Sequence, residues 1–130
     1  MAAKGGDHSM ELKNRSQYLD KLISVQDMEV IKVVTGIRRC GKSSLLKLMM
    51  EHLRGQGITE EQILAMNFES MQFSDMDSKG LYQFVMERAL KGKRLYLFLD
   101  EVQKVKDWQN AVNSFRVDLD CDIYVTGSNE

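Results

Sequence analysis

The sequence predicts an α/β fold built on a parallel sheet. Three observations carry that reading. Short apolar or β-branched runs recur along the chain, segments with helical periodicity separate them, and one run, Leu95-Tyr96-Leu97-Phe98-Leu99, is apolar throughout. An unbroken run of that length is the pattern of a strand buried on both faces, and strands alternating with helices make a parallel sheet.

The elements follow in order. Residues 1–9 (MAAKGGDHS) are small, polar and Gly-containing, and read as a leader outside the fold, with Met10 as a second start. Leu12, Leu19, Leu22 and Ile23 share a helical face with Tyr18 beside it, which predicts a helix over about 11–24. Val30-Ile31-Lys32-Val33-Val34 is β-branched and suits a strand. Gly36 to Gly41 reads as loop, and Lys42 to Leu53 as helix, with Leu45, Leu46, Leu48, Met49 and Leu53 inward and Gly55 and Gly57 as the stop. Ile63 to Phe68 is a second strand, residues 69–78 a polar, Met-rich loop, and Leu81, Phe84, Val85 and Ala89 mark a helix. The run at 95–99 ends on Asp100. Trp108, Ala111, Val112 and Phe115 then recur at helical spacing, with Asp107 placed to cap them, and Ile123-Tyr124-Val125 is a fourth strand. Met49, Met66 and Met86 read as core fillers and Trp108 as core.

Composition limits what the chain does. It has 130 residues, enough for one domain, with 43% hydrophobic and 28% charged residues, a balance that folds. Eighteen basic against 19 acidic residues leave a net charge of −1, which does not support a dedicated nucleic-acid binder; Lys91, Lys93 and Arg94 read as a solvated helix end. No apolar run approaches the ~20 residues of a membrane span, and no secretory signal opens the chain. Two cysteines, Cys40 and Cys121, make neither a disulfide framework nor a zinc site, so the expectation is a cytoplasmic protein with free thiols.

Gly36-Ile37-Arg38-Arg39-Cys40-Gly41-Lys42-Ser43 fits the pattern G-x-x-x-x-G-K-[ST], after an apolar strand and before an amphipathic helix. Glycines let the backbone curl so that N–H groups converge on a phosphate chain, and a helix N-terminus adds partial positive charge. Lys42 is placed to reach the β- and γ-phosphates, the Ser43 hydroxyl to ligate Mg²⁺, and Ser44 to bond a further phosphate. Arg38 and Arg39 suit either the nucleotide or solvent. Cys40 is either a thiol activated beside Lys42 or a packed, inert side chain.

Asp100 and Glu101 close the apolar strand, 58 residues after Lys42. Nucleotide hydrolysis needs one acid to hold Mg²⁺ and another to orient and deprotonate the attacking water. Asp100 suits the first role, through the metal's water shell, and Glu101 the second. Kinase-type relatives of the phosphate loop usually lack the second acid, and no Asn-Lys-x-Asp guanine-reading motif is present, so ATP is the expected nucleotide. After the last strand, Ser128 or Asn129 could position the attacking water; a plain turn at Gly127 and Asn129 is the alternative.

Together the segments YLDKLI, IKVVTGIRRCGKSSLL, NFES, LYLFLDEVQKVKDWQNAVN and DIYVTGSN resemble bacterial and archaeal AAA-type P-loop ATPases, the kind usually joined to a C-terminal domain of unknown function. The resemblance runs from about Arg15 to Asn129. It implies a three-layer P-loop NTPase fold of AAA type with strand order 5-1-4-3-2. It also implies ATP and Mg²⁺ as ligands, a phosphate loop at Gly36–Ser43, metal and water acids at Asp100 and Glu101, and a polar sensor at Ser128 and Asn129. Members of that family continue into a fifth strand, a helical lid and a further domain, so residues 10–130 are expected to be the N-terminal part of such a domain, acting on a protein client that the residues do not identify. The expected consequences are weak turnover and self-association through the exposed strand Val30–Val34. The rival expectation is a nucleotide-dependent interaction switch with little turnover.

Overall fold

The computed structural model describes residues 17–34 and 39–127. Helix α1 occupies 17–24 and buries Leu22; the expected part of it before residue 17 lies outside the described residues. Strand β1 is Lys32–Val34, shorter than the expected run from Val30. Residues 28–30 bend instead, and the Val30 N–H bonds the Met28 carbonyl at 2.8 Å rather than joining a ladder. Helix α2 is Arg39–Gly55, strand β2 Ile63–Asn67, helix α3 Ser78–Arg88, strand β3 Leu95–Asp100, helix α4 Trp108–Asp118 and strand β4 Cys121–Thr126.

The sheet is parallel throughout, in the order β1-β4-β3-β2. That is the expected order for these four strands. Its register sets Val34 beside Thr126, Leu99 beside Val125 and Asn67 beside Asp100, so the carboxyl ends of the strands finish together. Alternation along β3 and β4 then divides the core. Leu95, Leu97, Leu99, Ile123 and Val125 face α3 and α4, where Leu81, Val85, Val112 and Phe115 are fully buried. Tyr96, Phe98 and Tyr124 face the other way and pack on Leu45, Leu46, Met49 and Leu53 of α2 and on Leu22 of α1. Phe98 and Tyr124 stack at 4.7 Å. These are the three layers. Cutting any of these buried leucines to Ala costs about 2–5 kcal/mol. Parity has a further effect: Asp100 and Thr126 stand an even number of residues from Phe98 and Tyr124, so both lie on the α2 side.

Helix ends account for the loops. α2 closes with Gly57 at φ +92, the Ile58 N–H on the Leu53 carbonyl at 3.1 Å and the Gly57 N–H on the Arg54 carbonyl at 3.0 Å. Left-handed glycine is what this terminator requires. At its other end α2 begins at Arg39, three residues before the expected start, and takes in part of the expected loop. No proline or β-branched residue stands between Arg39 and Lys42 to stop it, and each added residue gains a backbone hydrogen bond. α3 is capped by Asp77, whose carboxylate accepts the Gly80 N–H at 2.8 Å. Asp107 does not cap α4 as expected. It sits at φ 59, ψ 32 with no side-chain bond to the helix, and its carbonyl takes the Asn110 N–H at 3.0 Å instead. The loop expected at 69–78 holds one short 3-10 turn, Met71–Phe73, which turns Phe73 into the core and leaves Met71 exposed. Met49 and Met66 are buried as expected, while Met86 and Trp108 are half-buried against the core.

The amino ends of the strands hold a polar network that the sequence does not announce. Lys32 and Asp122, both buried, form an ion pair across β1 and β4. The Lys32 ammonium also donates to the Met28 carbonyl at 2.7 Å. Asp122 Oδ2 accepts the Tyr124 hydroxyl at 2.6 Å and the Asp27 N–H at 3.0 Å. Asp27 in turn accepts the Tyr96 hydroxyl at 2.8 Å and Arg94 at 2.7 Å, and Arg94 also pairs with Asp120. Burial works against the charge on Asp27, but the bonds from Tyr96, Gln26 and Arg94 outweigh it and hold the carboxyl below its ordinary value. Burial and the Asp27 bond push the Tyr96 hydroxyl up to about 12. Burial, then Asp122, raises the Tyr124 hydroxyl as well. The network ties the linker between α1 and β1 to the sheet. Nearby, burial pushes the Cys121 thiol up to about 11, the property of an inert cysteine.

Candidate functional site

At the carboxyl ends of the strands, the first turns of α2 meet β3 and β4. Lys42 is 3% exposed, and its ammonium donates to the Gly127 carbonyl, just past β4, at 2.7 Å. One residue on, Ser43 Oγ donates to Asp100 Oδ2 at 2.6 Å. The other oxygen of that carboxylate, Oδ1, accepts the Thr126 hydroxyl at 2.5 Å. Thr126 Oγ1 accepts the Glu101 N–H at 2.9 Å. Glu101 is 1% exposed with left-handed backbone at φ 56, and Gln103 Nε2 donates to its Oε1 at 2.8 Å. Gly127 passes close to Gln103: a Cβ there would meet Gln103 Oε1 at 3.0 Å.

Helix and sheet thus bring four of the expected residues, Lys42, Ser43, Asp100 and Glu101, to one place, with Ser44 following half-buried in α2. Gly41 is buried inside the first turns of α2. Gly36, Ile37, Arg38, Ser128 and Asn129 lie outside the described residues, and only the backbone of Arg39 and Cys40 is described. Two residues were not foreseen. Thr126 joins both acids, and Gln103 holds Glu101. A hydroxyl directly after the apolar run Ile123–Val125, beside the acidic strand, is the signal that could have found Thr126.

The chemistry of the donors is specific. A hydroxyl and a carboxylate in contact present hard oxygen donors, which suit Mg²⁺. A buried ammonium beside them suits a phosphate oxyanion. Among the described residues no group of three or more His, Cys, Asp or Glu could hold a metal. Mg²⁺ needs none, since it keeps several waters and takes one or two protein ligands alongside phosphate.

A family model described as an AAA domain matches residues 29–130. The chain belongs to the AAA domain family. This AAA domain is also similar to an uncharacterized protein of Haemophilus influenzae (strain Rd), 40% identical over 123 residues, covering 93% of the chain and 31% of that relative. The chain therefore spans less than a third of the relative's length. No solved structure matches. Nucleotide binding is what membership of the AAA family implies, and the four-stranded parallel sheet is consistent with that family's core. Among the described residues no helix of this AAA domain is long and apolar enough to cross a membrane.

Proposed function

We propose that the chain is a cytoplasmic, Mg²⁺-dependent ATPase module, with residues 10–130 forming the N-terminal part of its P-loop domain. One observation carries the reading: Ser43 Oγ meets Asp100 Oδ2 at 2.6 Å, beside the buried ammonium of Lys42. These three groups come from a helix start and a strand end that are far apart in sequence. The contact needs the whole sheet to be built in one register.

In this reading the backbone of Gly36–Ser43, with Ser44, surrounds the phosphates at the positive end of α2. Lys42 reaches the terminal phosphates from a site walled off from water, where its charge is screened little. Ser43 and Asp100 would hold Mg²⁺, the serine by its hydroxyl and the aspartate through the metal's water shell. The metal held there would supply positive charge to the phosphate oxygens. Glu101 takes the proton of the attacking water, and Gln103 steers its carboxylate from Oε1. Ser128 and Asn129 follow Gly127 and are the candidates to position that water. ATP rather than GTP rests on the absence of an Asn-Lys-x-Asp motif.

The test is ATP affinity and phosphate release with Mg²⁺, in the native chain, Lys42→Ala and Glu101→Gln. Loss of binding in the first variant, and loss of release with binding retained in the second, supports the ATPase. Binding by the native chain with no release makes the domain a nucleotide-dependent switch. No binding at all ends both readings.

β1 supplies a partner surface of its own. It lies at the sheet edge with Val33 60% exposed, and its outer backbone groups have no strand beside them among the described residues. Such an edge is a template for another strand. The proposed occupant is β1 of a second copy of this chain.

A further inference from the structure

We infer that Thr126 is the positioning residue of the acid pair: one hydroxyl sets both the carboxylate of Asp100 and the backbone of Glu101. The inference rests on the ATPase reading above.

Thr126 is 0% exposed and ends β4. Its hydroxyl has one hydrogen to give and lone pairs to receive. It gives the hydrogen to Asp100 Oδ1 at 2.5 Å and receives the Glu101 N–H at 2.9 Å. Two adjacent residues of β3 are therefore read by one atom of β4. The branched Cβ restricts χ1, so the strand register, with Val34 of β1 beside it, decides where that oxygen stands.

Each acid needs this contact for a different reason. The last torsion of an aspartate is soft and roughly two-fold, so a carboxylate bonded at one oxygen can swing. Asp100 is bonded at both, by Ser43 and by Thr126, and so presents Oδ2 to Ser43 in a fixed direction. Glu101 has the opposite problem, in its backbone. Its φ of 56 and ψ of 50 lie in the left-handed region, which is unfavourable for a residue with a Cβ. The bond from its N–H to Thr126 helps hold that turn, and the turn decides where the side chain leaves the backbone. The next residue of the same segment, Gly127, receives the Lys42 ammonium. The end of β4 thus gathers the phosphate-side cation and both acids into one hydrogen-bonded unit. A valine would fill the same space and lack both bonds. A serine would keep both with a freer χ1.

The alternative is that Thr126 only satisfies buried polar groups. It then affects stability and nothing else. Four readouts on the native chain, Thr126→Val and Thr126→Ser separate the two roles. They are turnover at saturating ATP and Mg²⁺, ATP affinity without Mg²⁺, the Mg²⁺ concentration for half-maximal rate, and hydrogen exchange at the Glu101 amide. The Val variant is expected to turn over about 10²-fold more slowly, the loss typical of catalytic groups displaced by an ångström, with metal-free ATP affinity within about threefold of native. Its Glu101 amide loses protection and its Mg²⁺ requirement rises. The Ser variant keeps both rate and protection. Should the Val variant not fold, Thr126→Ala replaces it, compared with Ser below its melting temperature. A folded Val or Ala variant with native turnover overturns the inference, as does a Ser variant as slow as Val. A native chain that binds ATP and releases no phosphate overturns the hydrolysis reading and takes this inference with it, an outcome distinct from the other two.

Discussion

Ser43 and Asp100 touch at 2.6 Å although 57 residues separate them. Ser43 stands in the opening turns of α2 and Asp100 at the last residue of β3, so the contact exists only when helix and sheet have docked. Removing either side of it is expected to weaken Mg²⁺ rather than nucleotide. Ser43→Ala and Asp100→Asn should each lose about 10–100-fold of the tightening that Mg²⁺ gives to ATP binding. Affinity in excess chelator should stay near native. Titration of a fluorescent ATP analogue with and without Mg²⁺ measures this. Equal losses in both conditions would contradict the assignment.

Lys32 and Asp122 make a buried ion pair at the other end of the sheet. Cutting one partner leaves the other charge buried and alone, which costs about 3–5 kcal/mol. Asp122→Asn should therefore lower the urea midpoint strongly. The double variant Lys32→Met with Asp122→Leu should recover only part of the loss, because the Tyr124 hydroxyl and the Asp27 N–H also depend on Asp122. A full recovery would mean that those two bonds contribute little.

Alkali should find the same network. Tyr96 titrates at about 12 in the folded chain against an ordinary 10.0. A group raised on folding contributes stability in full below its unfolded value. The contribution fades as pH climbs from the unfolded value through the folded one. Stability should thus fall between pH 10.0 and about 12 in the native chain, and less steeply in Tyr96→Phe. Chemical denaturation across that range, with tyrosinate absorbance followed in parallel, gives the two slopes. Parallel slopes would remove Tyr96 from the account.

The edge of β1, which has no neighbouring strand on its outer side among the described residues, predicts a concentration-dependent dimer. Val33→Lys places a charge on the exposed face of that edge, a device by which natural sheets discourage pairing. Light scattering should find the native chain associating with rising concentration and the variant monomeric. A native chain that stays monodisperse as a monomer across the range rejects the edge as an interface.

The strands, the helices and the two motifs were legible in the residues because each rests on local order. The apolar run Leu95–Leu99 is continuous, so a buried central strand follows from it directly. Gly41-Lys42-Ser43 and Asp100-Glu101 are short patterns whose neighbours, a strand before or a helix after, can be checked within a dozen positions. Local order failed where a side chain had two local fates. Asp107 precedes an amphipathic helix and has the chemistry of a cap, yet its left-handed backbone aims the carboxylate elsewhere. Lys32 within Val-Ile-Lys-Val-Val is 4% exposed, and no neighbour in that run names the partner of its charge.

What the linear order of residues settled was the alternation of strand and helix and the chemical kinds gathered at the start of α2 and at the acidic end of β3. What only the folded chain settled was which groups meet: Lys32 with Asp122, 90 residues apart, and Thr126 with both acids, 25 and 26 residues away. The reason is physical. Periodicity assigns a face to each residue of one element, but a hydrogen bond between elements depends on the register of parallel strands and the seating of α2 on them. Those are set by the burial of Phe98, Tyr124, Leu45 and Met49 together, and no stretch of sequence contains that information by itself.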